Sequence, residues 1–239
     1  MPRTPAVELA PGVWRVPLLR DYINGFVLRD DAGRVTLIDM GLPGHGPRLL
    51  AALDWIGSPP GDVTRLLLTH AHPDHIGGAA HVAHETGLGM GVHEDDAGYV
   101  RTGTVPPQVA VGLLGRLLHL VTPDLEPDPI PVAEELVDGQ LLPVAGGLRV
   151  VHMPGHSPGH VGFLHEPSGV LVTGDAIMNP VGLRWSPKSV CSDFRMSQRT
   201  AHRLGELDYR VAAFTHGPEV RDQPREKVRR FLVRHGYGG

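Results

Sequence analysis

Apolar residues in this chain come mostly in short runs, each closed by a turn. Val7–Leu9 and Val13–Leu18 read as strands parted by Pro11-Gly12. Tyr22–Arg29 and Arg34–Asp39 read as a hairpin about Asp30-Asp31-Ala32-Gly33, and its second strand stops on an acid, Asp39. Leu49, Leu50, Leu53 and Ile56 fall at helical spacing within Gly46–Ile56, and Gly57–Gly61 ends that helix. Val63–Thr69 is the next apolar strand, and Gly78–Thr86 reads as a helix stopped by Gly87. Gly89–His93 predicts a short strand and Glu94–Val100 a helix. Over Pro106–Val121, eight Val and Leu residues from Val109 to Val121 cover most of a helical surface, so that helix requires burial. The proline-rich stretch Pro123–Pro131 reads as an extended connector. Strands return at Leu148–His152, Val161–Leu164, Val170–Thr173 and Val211–Phe214. Between and after them come a helix over Asp193–Leu207, capped by Ser192, and a charged helix over Pro224–Arg234.

Composition narrows this picture. A chain of 239 residues, 41% of them hydrophobic, can build one substantial core, and the 31 Gly and 23 Pro fit many short elements joined by tight turns. No composition break marks a linker, so the chain reads as one domain, 1–239, with 94–134 as a helical insertion. The net charge of −4 argues against a protein held on nucleic acid by bulk charge. Lys188 and Lys227 are the only lysines, a compositional habit rather than a phosphate-binding device. Cys191 is the single cysteine, which excludes an internal disulfide and suggests a reducing compartment and a spectator thiol. No run is long enough to span a membrane, and Met1–Arg20 lacks an apolar segment of signal length. A cytoplasmic protein with a small-molecule substrate, and no nucleic-acid or membrane partner, is the expectation.

The outlying count is fifteen histidines. Leu68–Gly78 reads Leu-Thr-His-Ala-His-Pro-Asp-His-Ile-Gly-Gly, placing His70, His72, Asp74 and His75 on a tight strand-to-helix turn. Imidazole and carboxylate are a ligand set for zinc, iron or manganese without any thiolate. Met153–His160 is a second histidine-bearing turn. Five buried-looking strands end in metal-type residues: Asp39, the His70–His75 cluster, His156, Asp175 and His216. Singly these are weak signals, since an aspartate at a strand end is often a turn cap. Jointly they describe a metal site at one edge of a layered sheet, with about three protein ligands per metal and an open solvent position.

On these residues, from Asp39 to His216, the chain resembles the metallo-β-lactamase superfamily. The resemblance implies an α/β fold, a four-layer αβ/βα sandwich with a two-metal site between the sheets and the helical insertion near it. It implies that His70, His72 and His156 hold a first metal and that Asp74, His75 and His216 hold a second. Asp175 would bridge both, and Asp39 would steady the ligand loop from behind. Two divalent ions are implied, with zinc expected and iron or manganese also accepted by such ligands. Thr69–Gly78 and Pro154–His160 are similar to the glyoxalase II and acyl-homoserine lactonase branch. Asp175 speaks against a true β-lactamase, and Cys191 lies too far on to match the cysteine ligand of one lactamase class. The chain runs on from His216 only to Gly239, too short for the helical domain with which glyoxalase II grips glutathione, so that substrate is not implied.

The expected activity is hydrolysis of an ester, lactone or thioester by a metal-bridging hydroxide, with Asp175 bridging and Asp74 passing a proton to the leaving group. Rivals are a mononuclear iron dioxygenase of the persulfide type, using His70, His156 and Asp175, a phosphodiesterase, and a non-catalytic binding protein on the same fold. The helix Pro106–Val121 can serve as a lid, a homodimer contact or plain core. Met178, Trp185 and Phe194 are candidate wall residues better read as loop packing, and Arg184 and Lys188 as solvated loop charges. His160 is expected to buttress its own turn, and His45, His81, His84, His93, His119, His152, His165, His202 and His235 to be core, surface or merely neighbouring residues.

Overall fold

A computed structural model describes residues 5–108 and 126–236 of the chain. The first sheet runs in chain order: β1 (Val7–Ala10), β2 (Val13–Leu19), β3 (Ile23–Arg29), β4 (Val35–Ile38), β5 (Val63–Leu67), β6 (Met90–His93) and β7 (Val132–Leu136). Its first four strands pair antiparallel through tight turns, as between Phe26 and Ile38. From β4 onward the pairing is parallel. Parallel neighbours need a crossover, and helices supply it here: α1 (Gly46–Trp55), then α2 (Pro73–Ile76) and α3 (Ala79–Thr86), then α4 (Glu94–Thr102).

The second sheet has the order β12-β11-β10-β9-β8, where β8 is Leu141–Leu142, β9 Leu148–His152, β10 Val161–His165, β11 Val170–Val172 and β12 Val211–Ala213. Strands β8 to β11 pair antiparallel, and β11 with β12 parallel. Two further helices follow late in the chain, α5 (Phe194–Ala201) and α6 (Pro224–His235).

Three apolar cores separate the layers. Leu49, Leu53, Val82 and Val100 of the early helices pack on Val27, Leu37 and Leu66 of the first sheet. Phe26, Ile38 and Leu67 meet Val150, Val161 and Phe163 between the two sheets. Ala201, Val228, Phe231 and Leu232 cover Val151, Leu171 and Ala212 on the outer side of the second sheet. Helix, sheet, sheet, helix is the four-layer order expected from the sequence, and alternate strand residues feed the two sides of each sheet.

Local differences have physical reasons. Strand β7 was not among the predicted strands, because Glu134 and Glu135 interrupt its short apolar run just past the proline-rich connector. β7 is the edge strand of the first sheet, where charged side chains are tolerated, and Glu134 pairs with Arg65 at 3.0 Å. All of α4 and the start of β7 fall within the interval 94–134, and they belong to the helix layer and the first sheet. The expected helix over Pro106–Val121 lies, from residue 109 on, outside the described residues. The helix expected over Asp193–Leu207 is α5 followed by a 3-10 turn, His202–Gly205, and its cap is Asp193, not Ser192. Asp193 Oδ1 accepts from Met196 N–H at 2.9 Å, the usual N-cap bond to the third helical residue. Among the described residues no helix is long and apolar enough to cross a membrane.

Candidate metal centre

The C-terminal ends of β4, β5, β9, β11 and β12 all point to one end of the sandwich, because these strands are mutually parallel within each sheet. Asp39 directly follows β4, His70 opens the turn after β5, His156 lies on the turn after β9, Asp175 follows β11 and His216 follows β12. Side chains remote in sequence are thereby delivered to a single crevice, as open α/β sheets deliver ligand-binding groups. The turn after β5 owes its shape to Pro73 at the first position of α2, which His72 precedes in extended conformation.

Three ring nitrogens form a closed triangle. His70 Nε2 lies 3.1 Å from His72 Nδ1, His72 Nδ1 2.9 Å from His156 Nε2, and His156 Nε2 3.1 Å from His70 Nε2. All three rings are buried. The outer nitrogens decide what the inner ones carry. Thr69 Oγ1 donates its hydrogen to Asp39 Oδ2 at 2.7 Å, leaving a lone pair to accept from His70 Nδ1–H at 3.0 Å. Cys191 Sγ donates to Pro187 O and accepts from His156 Nδ1–H at 3.6 Å. With protons on the outer nitrogens, the inner nitrogens of His70 and His156 face each other as lone pairs, which is repulsive unless a cation sits between them. Nitrogen ligands at about 2.05 Å in a tetrahedral shell stand about 3.3 Å apart, close to these edges. Burial, aided by the neighbouring imidazoles, holds His70 and His156 well below the ordinary histidine range, and burial takes His72 down to about 4. The triangle stays uncharged and ready to donate electron pairs.

The second group is built differently. His216 Nε2 lies 3.3 Å from both Asp74 Oδ2 and Asp175 Oδ2, and His75 Nε2 lies 3.7 Å from Asp74 Oδ1 and 3.6 Å from Asp175 Oδ1. Asp175 Oδ2 also stands 3.4 Å from His156 Nε2, so this carboxylate sits between the two groups. Burial works against charge on every member, yet opposite charges prevail. His216, facing Asp175 and Asp74, is pushed up to about 11, and His75, facing Asp74, Asp175 and Asp39, to about 9. The same rings hold Asp74 and Asp175 well below the usual carboxylate range. His75 Nε2 is buried without a hydrogen-bond partner among the described residues, and so is His72 Nε2. Two carboxylates facing inward need balancing positive charge, which the two protonated rings supply and which a bound cation could supply in their place. His70-His72-His156, His70-His75-Asp175 and Asp74-His75-His216 can each hold a metal ion, their ligand atoms lying within 4.8 Å of one another. The donor set fits divalent metal ions with nitrogen and oxygen preference.

Residues behind the ligands fix their aim. Asp39 adopts φ 57° and accepts from Thr69 N–H at 2.8 Å, Thr69 Oγ1–H and His75 Nδ1–H at 2.9 Å. His216 Nδ1–H donates to Tyr22 O at 2.6 Å. Thr215 Oγ1–H donates to Asp175 Oδ1 at 2.6 Å. His160 buttresses its own turn, as expected, through Nδ1–H to Met153 O at 3.0 Å, and its Nε2 also accepts from Asp175 N–H at 2.7 Å. Cys191 is buried and pushed up to about 12 by that burial, which leaves it inert as a nucleophile, but it touches a candidate ligand rather than standing aside. Sequence reasoning missed Thr69, Thr215, the role of Cys191, and Asp96, which accepts from Ala71 N–H and Ser157 Oγ–H beside the triangle. Thr69 adjoins a candidate ligand and was within reach, whereas Asp96 and Cys191 carry no local signal.

Other candidates fall away from the centre. Trp185 lies against Phe231, tilted by 54° with ring centroids 4.9 Å apart, and donates to His235 O, so it packs on α6. His93, Asp95 and His152 form a fourth cluster, yet the two rings stack at 3.8 Å and 18°. Lone pairs lie in the ring planes, so stacked rings cannot aim at one ion. His93 Nδ1 instead caps α4 by accepting from Asp95 N–H, and His152 Nε2–H donates to Pro158 O. A cleft of about 860 Å³ lined by Arg29, Asp30, Arg34, His165 and Arg210 opens at the opposite end of the sandwich, by the β3–β4 and β10–β11 turns.

Comparison with known proteins agrees with this architecture. Hydroxyacylglutathione hydrolase GloC of Haemophilus influenzae is 28% identical over 164 residues, covering 68% of this chain and 70% of that protein. Acyl-coenzyme A thioesterase MBLAC2 of Gallus gallus is 30% identical over 188 residues, 73% of this chain and 64% of that one. A metallo-beta-lactamase family protein of Thermus thermophilus superposes with a TM-score of 0.70 at 28% identity, covering 95% of this chain and 80% of its own. The family model described as the metallo-beta-lactamase superfamily matches residues 18–216. Because that match takes in both histidine turns and all five strand ends, the chain belongs to the metallo-beta-lactamase superfamily.

Proposed function

We propose that this protein is a metal-dependent hydrolase that uses two divalent ions, most simply zinc, to cleave a small-molecule ester, lactone or thioester. His70, His72 and His156 would hold one ion, Asp74, His75 and His216 the other, and Asp175 both. The observation that carries the reading is the placement of Asp175, whose two oxygens reach His156, His216 and His75 at 3.3–3.6 Å and so stand between two complete ligand groups. Bound there, the pair of ions would supply an acidified water as nucleophile and Lewis acidity toward a carbonyl oxygen. The chain's own side chains do the rest. Asp74 is the most exposed of the candidate ligands, with 33% of its side chain open, and would take the proton of the attacking water and hand it to the leaving group. Asp39 and Thr69 keep the His70 and His75 rings aimed. Thioester substrates draw support from the hydroxyacylglutathione hydrolase and acyl-coenzyme A thioesterase relatives, and lactones only from the likeness of the two turns to the lactonase branch.

Protein loaded with a defined metal, assayed against thioesters, lactones and a chromogenic phosphodiester, tests this reading. Turnover of an acyl substrate is expected, with Asp74→Asn lowering kcat by about 100- to 10,000-fold. One iron per chain with oxygen uptake on a persulfide, or turnover of the phosphodiester alone, would overturn it.

A further inference from the structure

The two turns that carry the three-histidine triangle are tied to each other by a carboxylate that is not part of it. Asp96, in the first turn of α4, is fully buried. Its Oδ2 accepts from Ala71 N–H at 3.1 Å and from Ser157 Oγ–H at 2.6 Å, and its Oδ1 accepts from Gly159 N–H at 2.7 Å. Ala71 lies between His70 and His72, and Ser157 follows His156, so one side chain anchors residues next to all three members of the triangle, by the backbone at Ala71 and by the hydroxyl at Ser157. Gly159 comes so close that a Cβ there would stand 2.6 Å from Asp96 N, which leaves room for glycine only. None of these bonds touches Asp74, His75 or His216.

We propose that Asp96 is a positioning residue for the first metal group: it sets the spacing of His70, His72 and His156, and its loss weakens the ion held there while sparing the ion at Asp74, His75 and His216. The assignment rests on the two-ion reading. Three charge-assisted hydrogen bonds in a buried setting give it the rigidity to do so, and loss of a partner behind metal ligands typically costs about 10- to 100-fold in affinity.

Cobalt(II) serves as the probe, followed by chelator competition and by its visible absorption. In a His216→Ala background, which retains the whole triangle, Asp96→Asn is expected to weaken cobalt binding by about 10- to 100-fold and to shift the absorption band. In a His72→Ala background the same substitution is expected to change neither. Equal losses in both backgrounds, or none in either, would overturn the assignment. Should Asp96→Asn not fold, Ser157→Ala removes one bond of the three and must show the same selectivity. Unmutated protein that binds two cobalt ions upholds the two-ion reading whatever Asp96 does, and fewer than two overturns both.

Discussion

Asp39 sits in the left-handed backbone region at φ 57° while its carboxylate collects three donors from Thr69 and His75. Aspartate and asparagine tolerate that conformation better than other residues with a Cβ. Asp39→Asn therefore keeps the backbone but turns an N–H group toward one of the donors. It is expected to weaken metal binding by about 10- to 100-fold, and Asp39→Ala to lose a further 1–2 kcal/mol or so of stability through strain, as read by metal titration and thermal melting. His93 makes a separate point about charge. It is 3% exposed, and burial together with His152 takes it from 6.5 down to about 4. The unfolded chain binds this proton below pH 6.5 and the folded chain only near pH 4, so stability falls as pH drops through that window. The slope from this residue is at most about 1.4 kcal/mol per pH unit. His93→Asn, which can still cap α4, is expected to flatten it in urea unfolding of chelator-treated protein between pH 7 and pH 4. At this scale His70, His72, Asp74 and His75 were legible because their types and spacing within Leu68–Gly78 are distinctive, and His156, Asp175 and His216 because each closes an apolar strand. Asp96 was not, because its partners lie 25, 61 and 63 positions away.

Elements were legible where one face is apolar and the ends are marked. β5, α1 and α3 follow from runs and spacing, and Gly87 at φ 69° closes α3 as its position suggested. The edge strand β7 was not, since Glu134 and Glu135 interrupt its apolar run and its pairing with β6 replaces an apolar pattern as the organising force. The turn after β9 depends on contact with a distant helix. Gly155 has φ 125°, and a Cβ there would meet Ser197 N at 2.1 Å. Gly155→Ala forces the turn away from α5 and is expected to destabilise by about 2–4 kcal/mol, a drop measurable by thermal or urea unfolding. A smaller effect would mean that α5 yields easily.

The candidate ligands come from both sheets: Asp74, His75, His70 and His72 from the first, His156, Asp175 and His216 from the second. Ions bound to them would cross-link the two halves at one end, where Phe26, Phe163 and their neighbours already join them. Metal that binds only the folded state adds stability by mass action, about 4 kcal/mol at a thousandfold excess over Kd. For a chain of this size that is about 8–16 °C in Tm. Chelation is expected to lower Tm by such an amount, and readdition of zinc to restore it. Unchanged melting on chelation would count against ligands shared between the sheets.

Periodicity, turn residues and the spacing of histidines and aspartates determined the layered α/β class and the candidate ligands, because those properties are local and repeat along the chain. Tertiary structure alone decided which ligands face one another, that Asp175 stands between two groups, and that Asp96 and Cys191 lie behind the triangle. The reason is that each of these rests on the parallel alignment of strand ends drawn from two sheets, and chain position carries no record of that distance.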